Sequence, residues 1–434
     1  MGTLLGSNKI TSSCSAPPPY ILFLGFFFFS LILQRVAVES TTLNYTSYNR
    51  KVSSLRLQRI QKHLDNINKS PVLTIQSPDG DLIDCVHKRK QPSLDHPLLK
   101  NHKIQKVPTK MPKGMKVKRE ERKLEWQMWH KNGTRCPKGT VPIRRSTVND
   151  VLRAKSLFDF GKKQRRRLSR RNDAPDVVST NGHEHAIAYT GSSSEVYGAK
   201  ATINVWDPSI QVVNEFSLSQ IWILSGSFDG SDLNSIEAGW QVSPELYGDS
   251  SPRLFTYWTS DSYEATGCYN LLCAGFIQTN SRIAIGAAIS PISSFDANQY
   301  DITILIWKDP RVGNWWMSFG DGTLVGYWPE ELFTHLTKHA TMVEWGGEVV
   351  NTRANGQHTS TQMGSGHFAE DGFGKASYFR NLEIVDTDNS LTSVHNNILT
   401  LAENTNCYDI KSSYNNEWGT YFYYGGPGNN PQCP

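Results

Sequence analysis

The feature that most constrains this chain is the partition of its charge. Before Pro175 there are 35 Lys and Arg against 12 Asp and Glu; from Pro175 onward there are 10 against 28. The two parts carry +23 and −18, which the whole-chain value of +5 conceals. Such parts repel internally and attract each other over a Debye length of roughly 8 Å at physiological salt. The chain is therefore expected to fold as two regions facing one another, rather than as one evenly charged body. They join at Lys162-Lys-Gln-Arg-Arg-Arg-Leu-Ser-Arg-Arg171, a string open to basic-site proteases. A basic region held against an acidic one, with a severable link, reads as a removable masking segment. A basic half that binds nucleic acid is the other reading, since clustered Lys and Arg also neutralise phosphates.

The N-terminus favours the first. Residues 20–33 form an apolar run of about 14 residues, the length of a signal-peptide core, and small residues follow at Ala37 and Ser40. Spanning a bilayer takes roughly 20 residues, so a signal anchor is the lesser reading. Removal of residues 1–40 is expected, leaving a secreted chain with no membrane segment; a monomer with no nucleic-acid partner is expected as well. Sequons at Asn44, Asn68 and Asn132 suit that route, and all three precede the basic junction. Cys14 leaves with the signal, so six cysteines remain, an even number on each side of the junction. Oxidised pairs Cys85–Cys136, Cys268–Cys273 and Cys407–Cys433 are expected, although the acidic part alone admits three pairings. A zinc site is disfavoured because the sequence has no CxxC pair.

The basic part has structure of its own. Leu57, Ile60, Leu64 and Ile67 recur at helical spacing. Residues 72–76 and 82–86 flank Ser77-Pro-Asp-Gly80, a hairpin pattern. Residues 118–130 and 147–155 read as helices, the second opened by a Ser/Thr cap. From Pro175 on, short apolar-alternating runs separated by Gly, Pro, Asn and Asp dominate. They include 201–206, 220–225, 236–242, 253–259, 282–289, 302–307, 315–319, 342–350 and 377–385. This part also holds ten of the twelve tryptophans. The fold class is mainly β: an antiparallel β-sandwich preceded by a small α+β pro-domain. One helix is expected after Pro329, with Leu332, Phe333 and Leu336 on one face.

Nucleophile and metal motifs are poorly supported. There is no G-x-S-x-G elbow, and His183-Glu-His185 is spaced for a strand rather than a zinc-peptidase helix. No cofactor or metal is expected, and carboxylates remain. In Ser235-Ile-Glu-Ala-Gly-Trp-Gln-Val242, Ile236, Ala238, Trp240 and Val242 face one way, and Glu237, Gly239 and Gln241 the other. Met342-Val-Glu-Trp-Gly-Gly-Glu-Val-Val350 repeats the design, with Glu344, Gly346 and Glu348 on the polar side. Glu on the outer face of a strand is ordinarily solvated surface. Glycines beside the carboxylates on two such strands point instead to close approach of a ligand or of another backbone.

Residues 236–242, Leu246-Tyr-Gly-Asp249, residues 253–259, Gly267-Cys-Tyr-Asn-Leu-Leu-Cys273, Trp345-Gly-Gly-Glu348, Thr361-Gln-Met-Gly-Ser-Gly-His367 and Gly372-Phe-Gly-Lys-Ala-Ser-Tyr378 stand out as long, unusual motifs. Together they resemble the neprosin family, secreted plant glutamic peptidases that cut next to proline. Upstream, Asp84-Cys-Val86, Gln91-Pro92, residues 95–104 and residues 139–145 resemble the family's activation peptide. The resemblance runs from about residue 50 to the C-terminus. It implies residues 41–160 as activation peptide, 161–174 as cleavable linker and 175–434 as peptidase domain. It also places the catalytic pair on Glu237 and Glu348, with Glu344, Glu330 and Glu331 as neighbours of the second. One carboxylate would activate water and the other donate a proton. Two carboxylates sharing a site cannot both ionise cheaply, so the pair suits acid pH. Gln241 faces the right way to steady an oxyanion. Tyr257 is expected as an exposed aromatic that packs on proline of a peptide or protein substrate. The pro-segment is expected as an intramolecular inhibitor held by charge. A β-sandwich glycoside hydrolase and an inactive extracellular binding protein stand as the competing readings.

Overall fold

The computed structural model describes residues 53–115, 126–163, 182–191, 195–227, 232–353, 356–395 and 397–434. The apolar run at 20–33, Asn44 and most of the basic link lie outside the described residues. The chain divides after Arg56, and everything below concerns the unit Leu57–Pro434.

Two antiparallel sheets form the acidic part. The six-stranded sheet runs β16-β4-β13-β6-β7-β8, where β4 is His183–Tyr189, β6 Ser217–Ser225, β7 Asn234–Val242, β8 Arg253–Thr259, β13 Met342–Val350 and β16 Leu399–Ala402. The nine-stranded sheet runs β17-β18-β14-β5-β10-β11-β12-β9, where β9 is Ile277–Gln278, β17 Asp409–Asn415 and β18 Gly419–Gly425, with β15 (Leu391–Ser393) beside β14. Its central strands are β5 (Gly198–Asn204), β10 (Asp301–Lys308), β11 (Trp315–Phe319), β12 (Thr323–Trp328) and β14 (Ser377–Val385). Alternation decides the faces. Ile236, Ala238, Trp240 and Val242 of β7, with Val343, Trp345 and Val349 of β13, share one buried cluster with Ile203, Ile304, Trp307 and Trp315 of the other sheet. Trp240 Nε1 donates to the Asn204 carbonyl at 2.8 Å, tying the layers. This is a β-sandwich with its core between the sheets.

The basic part supplies a third sheet, β1-β2-β3, from Pro71–Gln76, Leu82–His87 and Thr140–Arg144. Helix α1 (Ser54–Ile67) buries Ile60 and Leu64. Helix α2 (Val148–Arg153) is shorter than the sequence implied, and Thr147 and Asp150 close a capping box at its start. The helix expected at 118–130 lies largely outside the described residues; Met128–Gly133 is a 3-10 turn. Three disulfides join Cys85 to Cys136, Cys268 to Cys273 and Cys407 to Cys433, as expected.

Two other expectations fail locally. After Pro329 only Glu330–Leu332 forms a 3-10 turn. There the Asn234 side-chain oxygen accepts from the N–H groups of Thr334, His335 and Leu336 at 2.9, 2.8 and 3.2 Å, replacing the carbonyls of a helix. Residues 282–289 form no strand, because Gly286 turns with φ +88° and only isolated bridges reach Arg253 and Gln127.

Apolar side chains carry much of the docking. Val86, Leu99, Val141 and Ile143 of the basic part enter the sandwich core. Ile60, Leu64, Val151 and Phe160 pack with Leu218, Trp222, Phe255 and Tyr257 on the outer face of the six-stranded sheet. Gln91 and Gln127 make buried amide bonds to Gln278 and Ala284. One buried pair even reverses the overall polarity, with Arg253 of the acidic part bonded to Asp81 of the basic part at 2.5 Å. Net charge sums over the whole surface, while this contact is set by apolar side chains that the sum does not see.

Candidate active site

The polar faces of β7 and β13 do not lie open. Every residue of both strands is buried: one face lies in the core between the sheets, and on the other the basic part reaches Glu237 and Glu348 through Lys163. Strand β6 lies between the two, so Gln220 stands opposite Gly239 on one side and Gly346 on the other. A Cβ at Gly239 would collide with the Ser219 carbonyl oxygen, and one at Gly346 with that of Ala186. Only glycine permits these approaches. It also leaves both flanks of Gln220 clear of side chains. Glu237 lies diagonally off Gln220 in one direction and Glu348 in the other.

Glu237 accepts from Ser235 Oγ at 2.6 Å, Tyr263 Oη at 2.8 Å and Gln220 Nε2 at 3.2 Å. Tyr263 reaches it from a loop whose Ser262 and Tyr263 have φ of +54° and +65°, sparsely populated for such residues. Asp261 pins that loop through Thr259, Ala265 and Thr266. Burial works to raise the Asp261 carboxyl, but these hydrogen bonds outweigh it and hold it below the usual carboxylate range.

Glu348 faces β4, with His183 Nδ1 2.5 Å and His185 Nε2 3.8 Å from its Oε1. The two carboxylates meet at Lys163. Its ammonium pairs directly with Glu237 Oε2 and lies 3.9 Å from Glu348 Oε2. Both glutamates are fully buried and the lysine side chain is 5% exposed. Tyr269, also buried, is pushed well above its ordinary range by burial first and then by the negative charges of Glu237, Tyr257 and Glu348.

The segment that carries Lys163 is held along its length. Gly161, at φ +77°, accepts from Tyr269 N–H at 2.7 Å and rests against the Cys268–Cys273 loop. The Lys163 N–H donates to Tyr257 Oη at 3.2 Å, and its ammonium lies 5.3 and 5.4 Å from the Tyr257 and Tyr263 ring centres. The expected linker therefore starts inside the site. Tyr257 is fully buried rather than exposed, stacked on Tyr263 at 5.8 Å, because the basic part covers it. Gln241 lines a cavity of about 320 Å³ with Lys163, His183, Phe216 and Tyr269, and no described residue pairs with its Oε1.

The alternatives separate cleanly. Glu344 lies one step along the same face of β13 from Gly346, opposite Trp222 and Tyr189. Glu330 pairs with Lys308 and Glu331 with His102, both against the other sheet. Asn68 uses its amide to grip the Ser146 backbone at 2.8 and 3.0 Å. Among the described residues one grouping has metal-ligand spacing, His358 with Cys407 and Cys433, and its sulfurs are joined in a disulfide. Sequence reasoning missed Gln220, whose signal is a lone amide in the otherwise apolar or small-residue run Ser217-Leu-Ser-Gln-Ile-Trp-Ile-Leu-Ser225.

The chain matches the family described as Neprosin over residues 213–427 and that described as Neprosin activation peptide over 74–189. Among solved structures it is similar to scytalido-glutamic peptidase with a peptide-based transition state analog. The identity is 12%, covering 57% of this chain and 98% of that one, with a TM-score of 0.30. The same enzyme with a transition state analog inhibitor gives 13%, 56%, 98% and 0.32. SCP-B, a member of the Eqolisin family of peptidases in complex with the tripeptide Ala-Ile-His, gives 10%, 56%, 98% and 0.29.

Proposed function

Because the chain belongs to the neprosin family, with both of its regions present, we propose that it is the secreted zymogen of a glutamic endopeptidase. It hydrolyses bonds next to proline at acid pH through Glu237 and Glu348. The observation that carries this reading is the convergence of two fully buried carboxylates on one ammonium supplied by the basic part. Burying two anions costs several kcal/mol unless they are paired, so a fold retains them for a purpose. Lys163 supplies the partner while the chain is latent, and its segment lies where a substrate backbone has to pass.

Once that segment leaves, a water between the carboxylates replaces the ammonium. The ionised carboxylate takes a proton from the water as its oxygen bonds to the scissile carbonyl carbon. The protonated carboxyl gives its proton to the carbonyl oxygen, forming a neutral gem-diol. Gln220 and Gln241 supply amide N–H donors beside that oxygen. In the second step the first carboxyl hands its proton to the departing nitrogen and the C–N bond breaks. The second carboxylate recovers a proton from the diol, and the pair returns to its starting state. Tyr257 and Tyr263, which now flank the Lys163 ammonium, offer their ring faces to a proline ring.

The test is hydrolysis of proline-containing peptides by acid-processed protein. Glu237→Gln and Glu348→Gln should each abolish cleavage with thermal unfolding nearly unchanged. Substantial residual activity in either variant refutes the pair; where Glu348→Gln is the active one, the second role moves to Glu344.

A further inference from the structure

We propose that His183 and His185 keep Glu348 ionised in the processed protein, which makes Glu348 the base and Glu237 the proton donor. This rests on the peptidase reading above. Both carboxylates are fully buried, so exposure does not distinguish them. Their neighbours do.

Lys163 touches both and departs with its segment. Glu237 then keeps Ser235, Tyr263 and Gln220, which are neutral. A hydroxyl donates to a carboxylate or accepts from a carboxylic acid by rotating, so Ser235 and Tyr263 serve either protonation state. Glu348 keeps two imidazoles on the same oxygen, at 2.5 and 3.8 Å. The antiparallel register puts them there: His185 stands opposite Glu348 and His183 opposite Val350, so both side chains share the outer face.

His185 is set from behind. Its Nδ1 lies 2.9 Å from Glu403 Oε1, and Glu403 Oε2 accepts the His185 backbone N–H. The Nδ1 contact needs a proton on that nitrogen, since a carboxylate only accepts. Nε2, 3.8 Å from Glu348 Oε1, is then the nitrogen whose protonation places a cation beside Glu348. Among the described residues, the titratable and charged groups around Glu348 include His183 and His185 from β4, Glu237 across the site, Tyr269, Glu403 behind His185 and, in the latent chain, Lys163. A cation within about 4 Å favours the ionised form of a carboxyl, by about one pH unit or more. His183 and His185 are positioning residues here, since they act through Glu348.

The experiment measures kcat and KM against pH for acid-processed full-length protein, wild type beside His183→Gln and His185→Gln. The acidic limb of kcat reports ionisation of the base in the substrate complex. It should move up by about one pH unit in each variant, with roughly tenfold lower kcat below the limb and KM unchanged. His185→Lys restores a cation and should return the limb toward wild type. An acidic limb that stays in place in both folded, active Gln variants overturns the proposal. Movement of the alkaline limb alone also overturns it, because that reverses the two roles. His183→Asn and His185→Asn replace any Gln variant whose unfolding curve shows it has not folded. Wild-type protein that cleaves no peptide refutes the peptidase reading itself, a result distinct from either outcome above.

Discussion

Lys163→Met tests how the latent state is held shut. Methionine keeps an unbranched apolar stem for the Tyr257 and Tyr263 rings, so the change removes charge with little loss of packing. What remains is two fully buried carboxylates around a neutral side chain. Removing one partner of a buried ion pair costs about 3–5 kcal/mol. The low end applies, because Ser235, Tyr263 and Gln220 still serve Glu237, and His183 and His185 still face Glu348. Swinging residues 156–163 away rehydrates both groups, so the penalty falls on the closed form alone. About 3 kcal/mol corresponds to a roughly 150-fold rise in the opening equilibrium. Amide hydrogen exchange at neutral pH reads this directly. The Tyr269 N–H, bonded to the Gly161 carbonyl, should lose protection by about that factor, and acid processing should start sooner. Unchanged protection together with wild-type latency would show that the apolar contacts of Phe160 and its neighbours close the site and that the lysine charge is incidental.

Three further outcomes follow from other parts of the structure. Tyr263→Phe removes the hydroxyl that holds the Glu237 carboxyl, and a hydrogen bond between neutral groups is worth about 0.5–1.5 kcal/mol. Peptide hydrolysis should fall roughly 2- to 12-fold with the thermal midpoint little changed, and an unaffected rate would exclude Tyr263 from the mechanism. At His358, burial lowers the imidazole, but the hydrogen bond and charge of Glu184 overcome it and hold it above its ordinary value. That stabilisation is complete below the unfolded value near 6.5 and is lost as pH rises through the folded one. His358→Gln should therefore lower the thermal midpoint more at pH 5 than at pH 8, and an equal loss at both would contradict the pairing. Asp309, at the dock of residues 105–109, is raised by burial, but bonds from Thr109, Arg311 and Gln105 prevail and hold it below its ordinary value. Its contribution is present above the unfolded value near 3.8 and fades only as pH falls through the lower folded one. Exchange protection of the Thr109 amide should accordingly persist at pH 4.5, and its disappearance between pH 7 and 5 would refute this.

The sandwich and half of the site were legible because alternation is a local property. Ile236, Ala238, Trp240 and Val242 declared their inward face, which left Glu237 and Gln241 on the other. The nearest cysteine neighbours within each part also gave the disulfides. The pattern does not separate Glu348 from Glu344, since both share a face of one strand, and it was the resemblance that pointed to Glu348. What the pattern also hides is register: β4 brings His183, 165 residues away in sequence, against Glu348. The charge partition points to two regions but carries no record of where Val86, Leu99 or Phe160 insert, because a sum over formal charges does not see apolar contacts. Tyr257 was expected in solvent for the same reason. Nothing local to β8 announces that another part of the chain lies over it.

Two of the places where the basic part holds the sandwich matter for its release. One is the Phe160–Lys163 segment over the glutamates; the other is residues 102–113, bonded to Tyr327, Asp309 and Ser390 on the nine-stranded sheet. Scission in the basic link severs the chain without touching the second attachment. The freed plug then remains on a leash, at an effective concentration in the millimolar range for a short tether. Dilution does not lower that concentration. A nicked molecule therefore stays quiet in proportion to the grip of a remote strap, and the switch from latent to active is thrown on the face opposite the chemistry.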